Sequence, residues 1–405
     1  MPNAIDARED FALLDPSILS TAEREAAFER FRITKSGREK PGRYWKIDLD
    51  ALDSNGAAAS NSIATELTPT VTFENVPPRV IACDLRTAAR EHPEAFARTF
   101  GKVIDNGKFA SLARAFAHIG AFIHVPPNII VSEPIIIRYT LDQSDAATSG
   151  TPVSSQRFSP YTIVLAEHDA QVTILERLEF QDQFVCGAVE LLATDGAHIT
   201  YAALQNVPET ARILMTRAAR CERNSHVTWA IAELGAALSV GSIDTSIAGE
   251  GSHVDTTAIF FPNAQQHVDL RTSVEHNVGH ATSETLVKSA ATDRGQGRYL
   301  GTIRIVKDAQ GSDARLKDDA LLLSENSHID SVPALEIAAN DVKAFHGATV
   351  GAIDTEQIFY MESRGIRREE AEKMISIGFF EPAIDRFPSN SLREEIRTVL
   401  TAKIG

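Results

Sequence analysis

Ala170-Gln171-Val172-Thr173 is the first copy of a four-residue phrase that returns along the middle of the chain. The phrase contains a small residue, any residue, Val or Ile, and then Thr or Asp. Its further copies are Ala197-His198-Ile199-Thr200, Ser225-His226-Val227-Thr228, Ser252-His253-Val254-Asp255 and Ser327-His328-Ile329-Asp330. The first four copies begin 27, 28 and 27 residues apart, and the last begins 75 residues after the fourth, close to three more steps of slightly shorter length. A fixed period in the twenties indicates a repeat architecture, in which each repeat packs only on its neighbours.

Each copy follows a polar turn and opens an alternating apolar run, as in Val227, Trp229 and Ile231. A helical or leucine-rich repeat would show helical spacing and cap residues in every unit, and residues 160–345 show neither. An all-β sandwich stays open as the alternative, because sandwiches also have frequent turns. The long period favours a parallel β-helix with two or three short strands per coil. This predicts one stacked row of residues: Val172, Ile199, Val227 and Val254.

Composition limits the classes of function. The net charge of −15 argues against nucleic acid or an anionic membrane surface as the main partner, because phosphate binding needs clustered Lys and Arg. Three cysteines, Cys83, Cys186 and Cys221, lie far apart in the sequence, which indicates neither a disulfide framework nor a zinc site. The N-terminus has no leader-like apolar run, and no stretch has the apolar length of a membrane span. We therefore expect a soluble cytoplasmic protein.

Helical patterns lie at both ends of the chain. Residues 1–125 are predicted to form an N-terminal helical domain, in which Ser20-Thr21-Ala22-Glu23 is a capping box. Residues 126–350 are predicted to form the β-helix core, and residues 351–405 a C-terminal helical domain. Polar stretches at 53–62 and 142–156 are predicted loops. The fold class is thus expected to be mainly β, a right-handed parallel β-helix flanked by α-helical domains.

Two regions contain long and unusual strings of residues. The first reads Gly120-x-Phe122-Ile123-x-Val125-Pro126, followed by Glu133-Pro134-Ile135. The second reads Pro333-Ala334-Leu335-Glu336-Ile337, then Asp341-Val342-Lys343-Ala344-Phe345-His346-Gly347-Ala348-Thr349-Val350-Gly351, then Phe359-Tyr360-x-x-Ser363-Arg364-Gly365-Ile366. These strings, in this order, resemble the SufB/SufD family of iron-sulfur cluster assembly scaffolds. The resemblance extends from about Trp45 onward and implies a right-handed parallel β-helix between helical ends. The chain is shorter and poorer in cysteine than the SufB branch, so it is more similar to the SufD branch.

The resemblance implies a non-catalytic scaffold subunit of the SUF complex. Such a subunit pairs with SufB through the β-helix, binds the ATPase SufC through its C-terminal helices, and supports iron acquisition and cluster assembly. The chain has no Walker A string, so any ATP is expected to be hydrolysed by another subunit. We expect three C-terminal apolar residues to contribute to SufC binding: Ile366, Met374 and Phe379. The resemblance leaves flavin binding open.

His346 is the residue that the resemblance places at the SufB contact, as a candidate ligand of iron or of a nascent cluster. Ala344-Phe345 replaces the Cys-Ser pair of the common family string, so no thiolate stands beside His346. We therefore expect that the chain holds no cluster alone and that any cluster or iron is shared with SufB. The alternative is that the His346 imidazole forms hydrogen bonds in a turn that closes the last coil.

Other polar residues support weaker hypotheses. His267, His276 and His280 are predicted to be surface-turn histidines, because an i, i+4 pair binds metal only on a helix. His198, His226, His253 and His328 share one position of the phrase, which predicts a structural ladder on one face. A β-helix enzyme acting on polysaccharide is the alternative function. It would need clustered carboxylates, whereas Glu167, Glu176 and Glu179 are scattered.

Overall fold

The structure is a computed structural model that describes residues 11, 14–34, 69–104, 107–141, 157–180 and 184–405. The predicted loops at 53–62 and 142–156 lie outside these ranges. Seven helices are described: α1 Thr21–Ile33, α2 Leu85–Glu91, α3 Pro93–Thr99, α4 Lys108–Ala115, α5 Thr355–Ser363, α6 Arg368–Ile384 and α7 Asn390–Ile404. None of these helices is both long enough and apolar enough to cross a membrane.

The strands form two sheets, called here sheet A and sheet B. Sheet A contains β1 Pro69–Glu74, β4 Ile135–Leu141, β7 Gln171–Glu179, β9 His198–Gln205, β11 His226–Glu233, β13 His253–Phe260, β15 Thr282–Ala291, β17 Ser312–Leu322 and β19 Val342–Ala352, in spatial order. Sheet B contains β2 Ile81–Asp84, β3 Ile119–Val125, β6 Pro160–Ala166, β8 Phe184–Ala193, β10 Arg212–Cys221, β12 Leu238–Ile247, β14 His267–His276, β16 Gln296–Ile305 and β18 His328–Ile337. The short β5 Arg157–Phe158 also pairs with β8.

From β6 to β19 successive strands alternate between the two sheets, so each coil there contributes one strand to each. The pairs β1–β4 and β2–β3 are antiparallel, and the other neighbours are parallel. The result is a β-solenoid of about seven turns with helices at both ends, which confirms the predicted fold class. The sandwich alternative is wrong. Val172, Ile199, Val227 and Val254 are aligned partners in one row, as predicted. The right-handed sense remains a prediction.

One corner of the solenoid explains why the phrase repeats. In six successive coils the residue before the small residue has positive φ: Asp169, Gly196, Asn224, Gly251, His280 and Gly311. The N–H group of each donates to a carbonyl one coil further on, for example from Gly196 to Arg223 at 2.8 Å. The small residue that follows is at most 1% exposed in each coil: Ala170, Ala197, Ser225, Ser252, Ala281 and Ser312. The tight corner therefore selects the left-handed residue and the small one after it.

The predicted fifth copy of the phrase at residues 327–330 is wrong. His328 begins β18 in sheet B and is aligned with Gln296, not with His253. The corner instead continues at Ala281 and Ser312, after steps of 29 and 31 residues. Because the later coils are longer, 75 residues correspond to about two and a half coils, which places the phrase on the opposite sheet.

The N-terminal helices pack on sheet B. The capping box at Ser20 is confirmed, since Ser20 Oγ accepts from the Glu23 N–H group and the Glu23 carboxylate accepts from the Ser20 N–H group. Buried Glu190 of β8 accepts hydrogen bonds from the backbone N–H groups of residues 101–104 at 2.5–3.1 Å. β1 pairs with β4 in sheet A and β3 pairs with β6 in sheet B, so both sheets include strands that lie before residue 126.

The C-terminal helices α6 and α7 pack on the outer face of sheet A. Their buried residues include Phe380, Ile384, Ile396 and Leu400, which share one apolar cluster with Ala202, Ala230, Ile259 and Leu286 of the sheet. Ion pairs from Arg386 to Glu284 and from Arg177 to Glu395 join helices and sheet. The apolar residues of α6 and α7 therefore do not cover the last coil of the solenoid, which consists of β18 and β19.

Candidate functional site

The C-terminal end of the solenoid is formed by β18 and β19. These are the edge strands of sheet B and sheet A, and within the described residues no further strand pairs with either outer edge. An edge strand presents unpaired N–H and C=O groups that another chain can bind. We call this surface, made by residues 328–337 and 342–352, the open end.

His346 lies on the inward face of the open end. The register aligns it with Leu316 and aligns Val350 with Ala320. Leu316 is 2% exposed and Ala320 is 4% exposed, whereas Val350 is 44% exposed and the His346 side chain is also exposed. The position that earlier coils use for core packing thus carries a solvent-accessible imidazole here. His346 sits in the middle of β19, so the alternative of a histidine in a closing turn does not fit.

A buried carboxyl group lies one coil below this face. Asp318 is fully buried, aligned with Ala348, and accepts a hydrogen bond from Ser331 of β18. Its Oδ1 atom has no hydrogen-bond partner among the described residues. Burial raises the pKa of Asp318 to about 6, and the adjacent Asp319 acts in the same direction. Asp318 was not predicted from the sequence, although an acidic residue that shares the inward face of β17 with Leu316 and Ala320 was a usable signal.

Three exposed apolar side chains lie on the open end, and we call them the apolar rim. We define it by Ile337, Phe345 and Val350, which are 40%, 59% and 44% exposed. The residue aligned with Ile337 in the preceding coil is Ile305, which is fully buried. Exposed apolar side chains on an edge strand are typical of a surface that a partner covers.

The three cysteines do not lie at the open end. Cys83 belongs to β2, Cys186 to β8 and Cys221 to β10. Burial raises the pKa of both Cys83 and Cys221 to about 12, so these two thiols stay protonated near neutral pH. An iron-sulfur cluster takes four Cys or His ligands in most proteins, whereas the open end offers two imidazoles, His328 and His346, and no cysteine. The donor set fits a shared site better than a cluster held by this chain alone.

The residues predicted to bind SufC differ in their surroundings. Met374 of α6 is 52% exposed, and Ile366 is partly buried just before α6. Phe379 is partly buried on the sheet A side, with the Lys288 ammonium 4.3 Å from its ring centroid. Sequence reasoning missed Phe359 and Tyr360 of α5, which are 71% and 60% exposed.

The other histidines lie in two different settings. His276 is fully buried, bonded to Ser283 at 2.8 Å, and its pKa is lowered to about 4 by burial, so its prediction as a surface-turn histidine is wrong. The ladder prediction is confirmed for His198, His226 and His253, whose successive ring centroids are 5.6 and 4.6 Å apart. It is wrong for His328, which lies in sheet B.

These features define a two-sheet β-solenoid with helical ends and an uncovered last coil. Residues 148–379, more than half of the chain, match the family model described as "SUF system FeS cluster assembly, SufBD core domain". The chain therefore belongs to the SufBD family. It is 28% identical over 334 residues to the iron-sulfur cluster assembly protein SufD of Bacillus subtilis, an alignment that covers 80% of this chain and 74% of the relative.

A second relative is an iron-sulfur cluster assembly SufBD family protein of Staphylococcus saprophyticus. It is 28% identical over 315 residues, with 76% of this chain and 66% of the relative covered. The chain therefore spans about two thirds to three quarters of the length of these relatives. Both names support the resemblance found in the sequence and favour the assembly function over the polysaccharide enzyme.

Proposed function

We propose that this chain is a non-catalytic scaffold subunit of the SUF iron-sulfur cluster assembly system. In this proposal its open end pairs with SufB, and its C-terminal helices bind SufC. The observation that carries the proposal is the contrast between the last two coils: positions that are buried core in β16 and β17 become exposed apolar positions in β18 and β19. A cytoplasmic location stays a prediction.

Pairing through the open end would complete the solenoid. A partner strand laid along β19 would satisfy its unpaired backbone groups, and a partner coil would cover the inward faces of Val350 and Leu335. Removing roughly 100 Å² of apolar surface from water contributes about 2.5 kcal/mol, so a rim of this kind supplies a useful part of an interface free energy. The same contact would enclose the His346 imidazole between the two subunits.

Iron or a nascent cluster is the cargo in this proposal, and the chain's own residues supply one part of its surroundings. The His346 imidazole would supply a nitrogen ligand or a hydrogen bond, and the partner would supply the remaining ligands. Asp318, with its unpaired Oδ1 and raised pKa, could hold a proton one coil deeper. Because the site would be enclosed between the two subunits, water would have limited access to the bound iron or cluster.

Binding of SufC is proposed at the exposed apolar side chains of α5 and α6. Phe359, Tyr360 and Met374 are more than half exposed, although each is large and mainly apolar. Phe379 packs toward sheet A, so its contribution to SufC binding would come from holding α6 in place.

Association with SufB tests the proposal directly. We expect Val350→Asp to weaken pairing with purified SufB by at least about ten-fold, because a carboxylate would be buried without a partner. Titration calorimetry measures the effect, and circular dichroism checks the fold. Ile33→Asp is the matched control, since Ile33 is also an exposed apolar residue but lies on α1 at the other end of the chain. Equal affinity of Val350→Asp and wild type would refute pairing at the open end.

A further inference from the structure

On the outer face of sheet A, two histidines of the ladder contact the carboxylate of Asp255. His226 of β11 is aligned with His253 of β13, and Asp255 lies two residues beyond His253 on the same face. The fourth residue of the phrase is Thr in the three preceding coils, at Thr173, Thr200 and Thr228, and becomes Asp only at 255 among these four. Two imidazoles and one carboxylate are therefore placed together on two adjacent coils of the ladder.

Three side-chain atoms converge at this point. His226 Nε2 and His253 Nε2 each lie 3.0 Å from the same oxygen, Asp255 Oδ2. All three candidate ligand atoms lie within 4.8 Å of one another. The side chains are 32%, 36% and 30% exposed, so they are held by the sheet and still reach solvent.

The spacing suits a metal ion. A first-row divalent ion binds imidazole nitrogen and carboxylate oxygen at about 2.1 Å, so two ligands in adjacent coordination positions lie about 3 Å apart. The separations from Asp255 Oδ2 to both nitrogens already have this value. A hydrogen bond between His253 Nδ1 and Thr282 Oγ1 fixes the orientation of the ring, as second-layer partners of metal-binding histidines commonly do.

The nature of the ligands selects the class of ion. Imidazole nitrogen is a poor ligand for Ca²⁺ and Mg²⁺, which prefer oxygen, and a good one for Fe²⁺, Co²⁺, Ni²⁺ and Zn²⁺. The chain's parallel register holds the two histidines in adjacent strands, so little conformational entropy remains to be lost on binding.

We propose that His226, His253 and Asp255 form a binding site for a first-row divalent transition metal on the outer wall of the solenoid. This site lies on β11 and β13 and is separate in sequence and coil from His346 on β19. It does not depend on the proposed scaffold function. His226 and His253 bind through Nε2 and Asp255 through Oδ2, and water completes the coordination on the solvent side.

Co²⁺ is the probe for this site, because its visible absorption reports coordination directly. The full chain carrying His346→Ala serves as the reference, so that His346 does not contribute. We expect saturable binding of one Co²⁺ by the reference, and at least about ten-fold weaker binding after His253→Ala or Asp255→Asn. A Co²⁺-dependent rise in the thermal unfolding midpoint gives a second readout.

His328→Ala is the matched control. His328 Nε2 and Asp330 Oδ1 are 2.9 Å apart in the same phrase, but the residue aligned with His328 is Gln296, so this pair lacks a second imidazole. Its removal should leave Co²⁺ affinity unchanged. Three results would overturn the proposal: no saturable binding by the reference, equal affinity after His253→Ala and Asp255→Asn, or an equal loss in the control. The contacts of Asp255 would then be His–Asp hydrogen bonds only.

Discussion

Gly251 and Asn224 occupy the same corner in successive coils, and the side chain of Asn224 fits only because residue 251 has no Cβ atom. Gly251 has a φ of 74°, and a Cβ atom at this position would overlap Asn224 Oδ1. The same relation holds between Gly196 and Asp169. The polar side chain of one coil fills the space that a Cβ of the next coil would need, so the corner alternates between a polar residue and glycine.

We predict that Gly251→Ala lowers the free energy of unfolding by about 1–3 kcal/mol, because it adds left-handed strain and a steric overlap. Urea unfolding followed by tryptophan fluorescence measures the change. Gly378→Ala is the matched control: Gly378 lies inside α6, a Cβ added there would meet open space, and alanine should stabilise the helix by up to about 1 kcal/mol. Equal stability of the two variants would show that the corner is not strained.

Individual residues also show the limits of sequence reasoning. The period found Val172, Ile199, Val227 and Val254 because inward positions of a solenoid repeat with the coil. It failed at His328 because coil length is not constant: the strands of sheet A lengthen from 8 residues in β13 to 10 in β15 and 11 in β17. The burial of His276 could not be predicted from the sequence either. A single histidine in an alternating strand has similar neighbours in the sequence whether its side chain points into the solenoid or outward.

At the scale of elements, the apolar residues of the C-terminal helices α5, α6 and α7 fall into a buried group and an exposed group. Phe380, Ile384 and Leu400 are buried against sheet A, while Met374 and the α5 pair Phe359 and Tyr360 stay exposed. The sequence indicated an apolar set too large for one helix pair. It did not indicate which members face the solenoid, because that depends on where sheet A lies relative to each helix.

We predict that Met374→Asp weakens SufC binding by at least about ten-fold, since it places a charge in the proposed interface. Surface plasmon resonance with purified SufC measures affinity, and the helical signal in circular dichroism shows whether α6 remains folded. Ile33→Asp should bind SufC as the wild type does. Undiminished binding by a folded Met374→Asp chain would move the SufC site elsewhere.

At the scale of the whole molecule, the solenoid carries three distinct surfaces. Helices α1–α4 cover sheet B near the N-terminal coils, helices α6 and α7 cover part of sheet A, and the open end presents His346. Because neighbouring coils share nearly continuous parallel pairing, the open end is supported by the rest of the solenoid. An uncovered last coil of this kind suits the proposed pairing with a partner subunit.

We propose that His346 at the open end completes a cargo site together with SufB. The direct measurement is iron and acid-labile sulfide per reconstituted complex of SufB, SufC and this chain, with and without His346→Ala. We predict that pairing with SufB stays within about two-fold while cluster content falls by about ten-fold, because the partner ligands lose one member of the set. Unchanged cluster content in the variant, or stoichiometric iron and sulfide on the isolated chain, would contradict the claim.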